Sequence, residues 1–253
     1  MKHHMIVALC GNKLHNAPLS DPRKVLDIGT AGETYPEAEV ESIDLSPIQP
    51  PFLPPNVHFI VDDIEAQWLH KDDSLDYIHL RHMAPSVKDW PKLLAQAYRA
   101  LKPGGWLELQ DIVPECKCDD STMPSGQQYA PAKMMDLIKD GLSHFDVDLR
   151  AGSSHKNRIE AAGFQNLIHD IKKLPVGTWP KDSHLKSVGS YARAVIYDGL
   201  HGNTIEPFTR GLGWTPLEVE AFLVEFRREM LKDDVHPYIL YHSYSGRKPP
   251  RPA

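Results

Sequence analysis

Apolar residues in the first half of the chain fall in short blocks, each closed by glycine or acidic residues. Lys24 to Ile28 is such a block and runs into Gly29, Thr30 and Gly32, which predicts a buried strand followed by a turn. Val40 to Leu45 and Val57 to Val61 predict a second and a third strand, the second with Asp44 at its tip and the third ending on Asp62 and Asp63. Leu75 to Leu80 predicts a fourth strand and Trp106 to Leu109 a fifth. Between these two, Leu93, Leu94, Ala97, Tyr98 and Leu101 recur at helical spacing, so a helix is expected from Trp90 to Leu101 with Asp89 as its N-cap. Lys102, Pro103, Gly104 and Gly105 should stop it, because proline cannot continue a helix and glycine supplies the positive φ of a C-terminal cap.

After Asp111 the pattern dissolves into Cys, Asp, Ser, Pro and Gly, and helical spacing resumes over Ala132 to Phe145. Further helices are expected over Ser154 to Ala162, stopped by Gly163, and over Tyr191 to Leu200. Thr215, Pro216 and Glu218 have the spacing of an N-cap, a first helical proline and a capping-box partner, opening a helix to Leu231. Gln165 to Leu174 and His236 to Tyr244 predict the sixth and seventh strands, and the proline-rich Arg247 to Ala253 tail should fray. Strands alternating with helices imply an α/β, mostly parallel seven-stranded sheet with helices on both faces, whose ligands sit beyond the carboxyl ends of the strands. We expect one domain over 1–253, with its core at about 21–113, 155–175 and 236–246 and a helical lid at about 114–154 and 178–232.

Composition changes this picture only at the edges. The 253 residues suffice for a substantial core, and 41% hydrophobic with 25% charged residues is ordinary for a globular protein. A formal charge of -6 and a pI near 6.1 argue against a nucleic-acid groove, which needs clustered positive charge. The apolar run Met5 to Cys10 is too short for a signal-peptide core or a membrane span, so no membrane partner is expected and the location is read as cytoplasmic, with the nucleus second. Cys10, Cys116 and Cys118 cannot make a disulfide framework, and the Cys116, Cys118 pair beside Asp119 and Asp120 lacks the second half of a metal site.

Read in order, Val25 to Thr30 (VLDIGT), Ile43 to Ser46 (IDLS), Val61 to Asp63 (VDD) and Leu101 to Gly105 (LKPGG) resemble successive motifs of class I S-adenosylmethionine-dependent methyltransferases. Asp44 to Pro50 (DLSPIQP), Asp89 to Leu94 (DWPKLL), Leu101 to Gln110 (LKPGGWLELQ), Gly213 to Pro216 (GWTP) and Tyr244 to Lys248 bring the resemblance closer, to the LaeA-like fungal methyltransferases, over nearly the whole chain. That resemblance implies a Rossmann-like methyltransferase fold, S-adenosyl-L-methionine in the crevice and a helical lid over a small-molecule acceptor. It also implies a link to fungal secondary metabolism or its regulation.

The cofactor set this implies is Asp27, Gly29, Thr30, Gly32, Asp44, Asp62, Asp63, Ile64 and Arg81. Asp44 at a strand tip is placed to accept from both ribose hydroxyls; a loop carboxylate or helix cap is the plainer alternative. Asp63 with Ile64 resembles the pair that holds and covers adenine, against an N-cap aspartate before a short helix, and Asp62 suits either task. His82, after strand four, is the candidate general base, because an imidazole titrates near neutrality; a solvated loop histidine is the alternative. His236, Tyr238 and His242 alternate on one face of the last strand and are read as either lid-facing groups or a half-exposed edge.

The sequence departs from the family where Gly29 to Pro36 (GTAGETYP) replaces a G-x-G-x-G loop and a helix of about three turns, a loss of roughly eight residues. Pro36 limits any helix before it, so weakened donor binding is expected, and an N-terminal segment that would help close the pocket is expected to be missing too. The leading expectation is methyl transfer to a small molecule. A donor-independent enzyme of the same fold, such as a cyclase or isomerase, and a noncatalytic regulator with a protein partner are the alternatives.

Overall fold

In the computed structural model, which describes residues 1–29, 37–47, 54–124 and 128–251, seven strands form one sheet. They are β1 (Lys24–Ile28), β2 (Glu39–Asp44), β3 (Val57–Val61), β4 (Leu75–Arg81), β5 (Leu101–Lys117), β6 (Gln165–Pro175) and β7 (Tyr238–Arg247), in the order β3-β2-β1-β4-β5-β7-β6. β1 pairs in parallel with β2 and β4, β2 with β3, and β4 with β5. The mostly parallel seven-stranded sheet expected from the alternation of elements is therefore what the chain forms. Among the described residues the α-helices are α1 (Lys2–Leu9), α2 (Trp90–Ala100), α3 (Ala130–Ser143), α4 (His155–Ala161), α5 (Ser183–Asp198), α6 (Leu200–Glu206) and α7 (Pro216–Met230).

The chain groups into two compact units. One comprises Met1–Leu14, Ile112–Ala151 and Lys172–Tyr241, and its core is built from Met5, Ile6, Met134, Leu174, Phe208, Leu223, Phe226 and Tyr241 among others. The other comprises His15–Asp111, Gly152–Ile171 and His242–Ala253 and carries β1 to β4. A cluster of Ala17, Val25, Ala38, Val40, Val57, Tyr77 and Trp106 is buried within it.

Local chemistry accounts for several boundaries. Asp89 caps α2 by accepting from the Lys92 amide at 3.0 Å. Thr215 and Glu218 form the complete capping box expected at the head of α7, with Pro216 in the first turn. Three expectations are corrected. The Lys102 to Gly105 stretch is not a helical C-cap: α2 ends on an extended Leu101, and the stretch belongs to β5, where β4 and β5 shift register between Leu75 and Tyr77 and Gly104 takes φ +87°. β5 also continues to Lys117, past the Asp111 at which its apolar pattern ends, because backbone pairing needs no apolar side chain. α5 begins at Ser183, well before Tyr191; Asp182 caps it through the Leu185 amide, and its polar first turns hide it from a periodicity argument.

Alternating with the buried aliphatics Leu26, Ile78 and Leu107 of the central strands is a row of polar side chains. Parallel register sets Ser42 beside Asp27, Asp27 beside His79 and His79 beside Glu108, a buried row across four strands. His79 Nδ1 lies 2.9 Å from Asp27 Oδ1. Glu108, fully buried, accepts from the amides of Asn16 and Ala17, the Tyr77 and Ser243 hydroxyls and Gln110 Nε2, at 2.7 to 3.1 Å. Burial pushes its pKa up, but the electrostatic pull of His79 and the bonds from Gln110, Ala17 and Asn16 outweigh it, so the carboxyl titrates below the ordinary glutamate range.

Replacing Glu108 by Gln would turn an amide NH2 toward N–H groups of Asn16, Ala17 or Gln110 that can only donate, and should cost about 3 kcal/mol in urea unfolding. A carboxyl depressed in the folded state contributes stability above its unfolded pKa of about 4.3 and loses it as pH falls through the folded value. The wild type should therefore lose stability, as pH falls below about 4.3, more steeply than Glu108→Gln. Thr215→Ala should cost about 1 kcal/mol by removing the α7 cap.

Candidate functional site

The sheet order reverses between β1 and β4, so their carboxyl ends border the crevice in which open α/β sheets bind ligands. At this point Gly29 follows β1 with φ +86°, and a Cβ built there would lie 2.7 Å from the Arg81 carbonyl and 3.3 Å from Met83 Sδ. Only glycine permits that approach of the β1 turn to the end of β4. Asp27, two residues earlier, lies buried in the sheet and is engaged by His79. Thr30 and Gly32, and with them the shortened loop up to Pro36, lie outside the described residues.

The next two strand tips carry the acids. Asp44, half-buried at the end of β2, accepts from the Ser46 amide through Oδ1 at 2.9 Å, and no described residue donates to its Oδ2. The Asp62 amide donates to the Asp44 carbonyl at 3.2 Å, tying the tips of β2 and β3 together. Asp62 Oδ1 accepts from the Asp63 amide and Asp63 Oδ1 from the Glu65 amide, so both acids close turns; no helix follows, and Asp63 is not a helix cap. Their carboxylates are exposed, whereas Ile64 is buried and its carbonyl receives Trp68 Nε1.

Behind β4 the geometry is tighter. Arg81 is buried, its Nε donating to Gln110 Oε1 at 2.8 Å. His82 follows in the left-handed region at φ +58°, held by its amide on the Gln110 carbonyl at 2.8 Å. The turn continues through the Ala84 amide on Asp111 Oδ1, while Asp111 Oδ2 lies 2.9 Å from Nε2 of the fully buried His155. β5 thus templates the segment that carries His82 through two successive residues. A non-glycine residue at positive φ costs about 1 kcal/mol or more and tends to persist at functional sites.

Gly29, Asp44, Asp62, Asp63, Ile64, Arg81 and His82 thus all lie at or just beyond the carboxyl ends of β1 to β4. Glu108, Gln110, Asp111, His79 and His155 were not singled out from sequence. The available signal was the matched alternation of His79 and Arg81 on one strand with Glu108 and Gln110 on another, both within apolar strands. Of His236, Tyr238 and His242, the first precedes β7 and the other two lie on it. His236 binds Asp120 at 2.7 Å and stacks on Trp179, Tyr238 donates to Asp119, and His242 lies in the other unit, 3.0 Å from His169. Asp119 is also paired with Lys173, and Asp120 accepts from Thr122. Burial foremost pushes the Cys116 thiol up to about 12, so it stays protonated at neutral pH.

His82→Gly should leave stability within about 0.5 kcal/mol of wild type, since glycine adopts positive φ freely, whereas His82→Val should cost more than about 1 kcal/mol. Gly29→Ala, pressed against a backbone carbonyl, should lower the thermal midpoint more than either. Calorimetric unfolding of the three variants measures both contrasts.

Comparison with known proteins adds the following. A family described as a methyltransferase domain matches residues 1–168. Methyltransferase pytC of Aspergillus terreus is 38% identical over 260 residues, covering 98% of this chain and 79% of that protein. The secondary metabolism regulators LAE1 of Cochliobolus heterostrophus and laeA of Aspergillus fumigatus are 32% and 30% identical, covering 98% and 96% of this chain and 85% and 67% of theirs. Among solved structures, Haemonchus contortus phosphoethanolamine N-methyltransferase 2 with S-adenosyl-L-methionine superposes at a TM-score of 0.51 and 17% identity, covering 92% of this chain and 50% of that enzyme. The (4+2)-cyclase SpnF superposes at 0.51 and 16%, covering 92% of this chain and 78% of its own. At such identities the likeness concerns the fold, and this chain spans half the length of the Haemonchus enzyme.

Proposed function

The chain belongs to the methyltransferase-domain family, with fungal secondary-metabolism proteins among its relatives, and from that premise we propose that it transfers a methyl group from S-adenosyl-L-methionine to a small-molecule acceptor of fungal secondary metabolism. The observation that carries this is the placement of Gly29, Asp44 and Asp63 at the tips of the neighbouring strands β1, β2 and β3, beginning at the switch point. Asp44 fits a ribose diol, because its half-buried carboxylate keeps one oxygen without a donor among the described residues. Asp62 or Asp63 takes the adenine amino group and Ile64 offers an apolar edge to the ring. The loop that would face the donor's amino-acid end, Thr30 to Pro36, lies outside the described residues.

The bound donor supplies a methyl group already activated on a sulfonium, so the protein's part is positioning. Arg81 and Gln110 fix the end of β4, and the turn beyond it holds His82 at the edge of the same crevice. His82 would take the proton that an acceptor hydroxyl or amine releases on gaining the methyl group, the sulfonium–methyl bond of the donor breaking to leave S-adenosylhomocysteine. The cytoplasm or nucleus is the proposed location; no helix among the described residues is long and apolar enough to cross a membrane.

Calorimetric titration with S-adenosyl-L-methionine and S-adenosylhomocysteine tests the proposal. Measurable heat is expected, and Asp44→Ala should weaken binding by roughly 10- to 100-fold, the worth of charged hydrogen bonds to a diol. No heat at millimolar ligand would overturn the donor assignment, and unchanged affinity in Asp44→Ala would overturn the ribose role.

A further inference from the structure

We propose that the outer face of α7 is a self-complementary stripe through which two copies of this chain pair, helix against helix and antiparallel. One side of α7 is accounted for: Val219, Phe222, Leu223, Phe226 and Met230 are buried in the core of their own unit. On the other side Leu217, Val224 and Leu231 are 80%, 65% and 62% exposed. Their spacing is seven residues twice over, about two helical turns each time, so they fall on one side of the helix, with Leu231 at its C-cap. Ala221, also exposed, lies on that side. Single exposed aliphatics need no explanation, whereas three repeated on one side of a helix, with Arg228 among them, mark that side.

The charges in and beside this stripe select the occupant and its direction. Glu220 stands in the first half of the helix and Arg227 and Arg228 in the second. Among the described residues Glu220 has loose partners, Arg227 at 3.9 Å and His201 at 3.3 Å, and Arg228 reaches Glu225 at 4.0 Å; such exposed pairs contribute little. A twofold axis through Val224 sets Leu217 on the partner's Leu231 and Glu220 on the partner's Arg228, and repeats both contacts by symmetry. A parallel pairing in register would oppose Glu220 to its own copy and Arg228 to its own copy. Charge therefore favours a second copy in the antiparallel sense, in which the two helix dipoles also oppose.

The patch is small. It falls below the roughly 1,200 Å² of total buried surface at which specific stable interfaces begin, so a weak dimer is expected, with a dissociation constant on the order of 10 to 100 µM. This inference does not depend on the methyl-transfer proposal.

Sedimentation of the whole chain across about 5 to 300 µM tests it. The weight-average mass should rise from the 28.5 kDa monomer toward twice that value. Val224→Glu should hold the protein monomeric over the same range with an unchanged thermal midpoint, since Val224 is mostly exposed. Glu220→Arg and Arg228→Glu should each weaken association at least about fivefold, because each change acts twice in a symmetric pair. The double variant, with the charges exchanged, should recover to within about threefold of wild type. A wild type that stays monomeric overturns the proposal. So does a dimer indifferent to Val224→Glu, or a double variant as weak as the singles, either of which would assign the stripe to another occupant such as a partner helix.

Discussion

A carboxylate buried at the centre of a sheet must be surrounded by donors, and those of Glu108 come from four parts of one unit. The segment before β1 gives the amides of Asn16 and Ala17, β4 the Tyr77 hydroxyl, β5 Gln110 and β7 the Ser243 hydroxyl. Removing any of them leaves a charge that cannot reach water, so the elements that carry them are bound to one geometry. The constraint passes outward. Gln110 donates to Glu108 and accepts from Arg81, and the Arg81 carbonyl sets how closely the Gly29 turn can lie. A continuous line of contacts runs from the buried carboxylate to the edge of the crevice.

That line explains why the site can serve a reaction that asks mainly for position. Methyl transfer from a sulfonium needs the acceptor held in line, and little acid or base strength. β5 fixes the end of β4 through the Arg81 side chain and the His82 amide, then holds the following turn through Asp111 and Ala84. His82 is kept in a left-handed backbone that an isolated chain would seldom adopt. Buried polar groups thus fix geometry, while the strand-tip acids Asp44, Asp62 and Asp63 stand nearer the surface and close turns. α7 shows a similar division on a single helix, with one face in its unit's core and another along Leu217, Val224 and Leu231.

The parts of the fold legible in the sequence are those with a local cause. Lys24–Ile28 and Val57–Val61 have the strand limits that their apolar blocks announce, and Thr215, Pro216 and Glu218 mark the start of α7 as capping chemistry requires. Less legible were elements whose reason lies in a neighbour. β5 runs on to Lys117 although its side chains turn polar, and α1 was read only as an apolar run because eight residues with His3 and His4 among them show no clear stripe. That Asp44, Asp62 and Asp63 stand at strand tips is legible because each closes an apolar block. Glu108 was passed over because a lone glutamate in an apolar strand looks the same in sequence whether it is solvated or held by five donors.

The sequence by itself determined the order of the seven strands, the glycine at the switch point, the acids beyond it and the family to which these belong. Each follows from residue type and spacing along the chain. Tertiary structure alone decided that Asp27, His79 and Glu108 form one row, that Gln110 couples that row to Arg81, and that His82 takes a positive φ. The physical reason is distance along the chain: Asp27 and His79 are 52 positions apart and Asn16 and Glu108 are 92. Only the parallel register of the folded sheet brings such groups within hydrogen-bonding reach, and no pattern read locally contains that register.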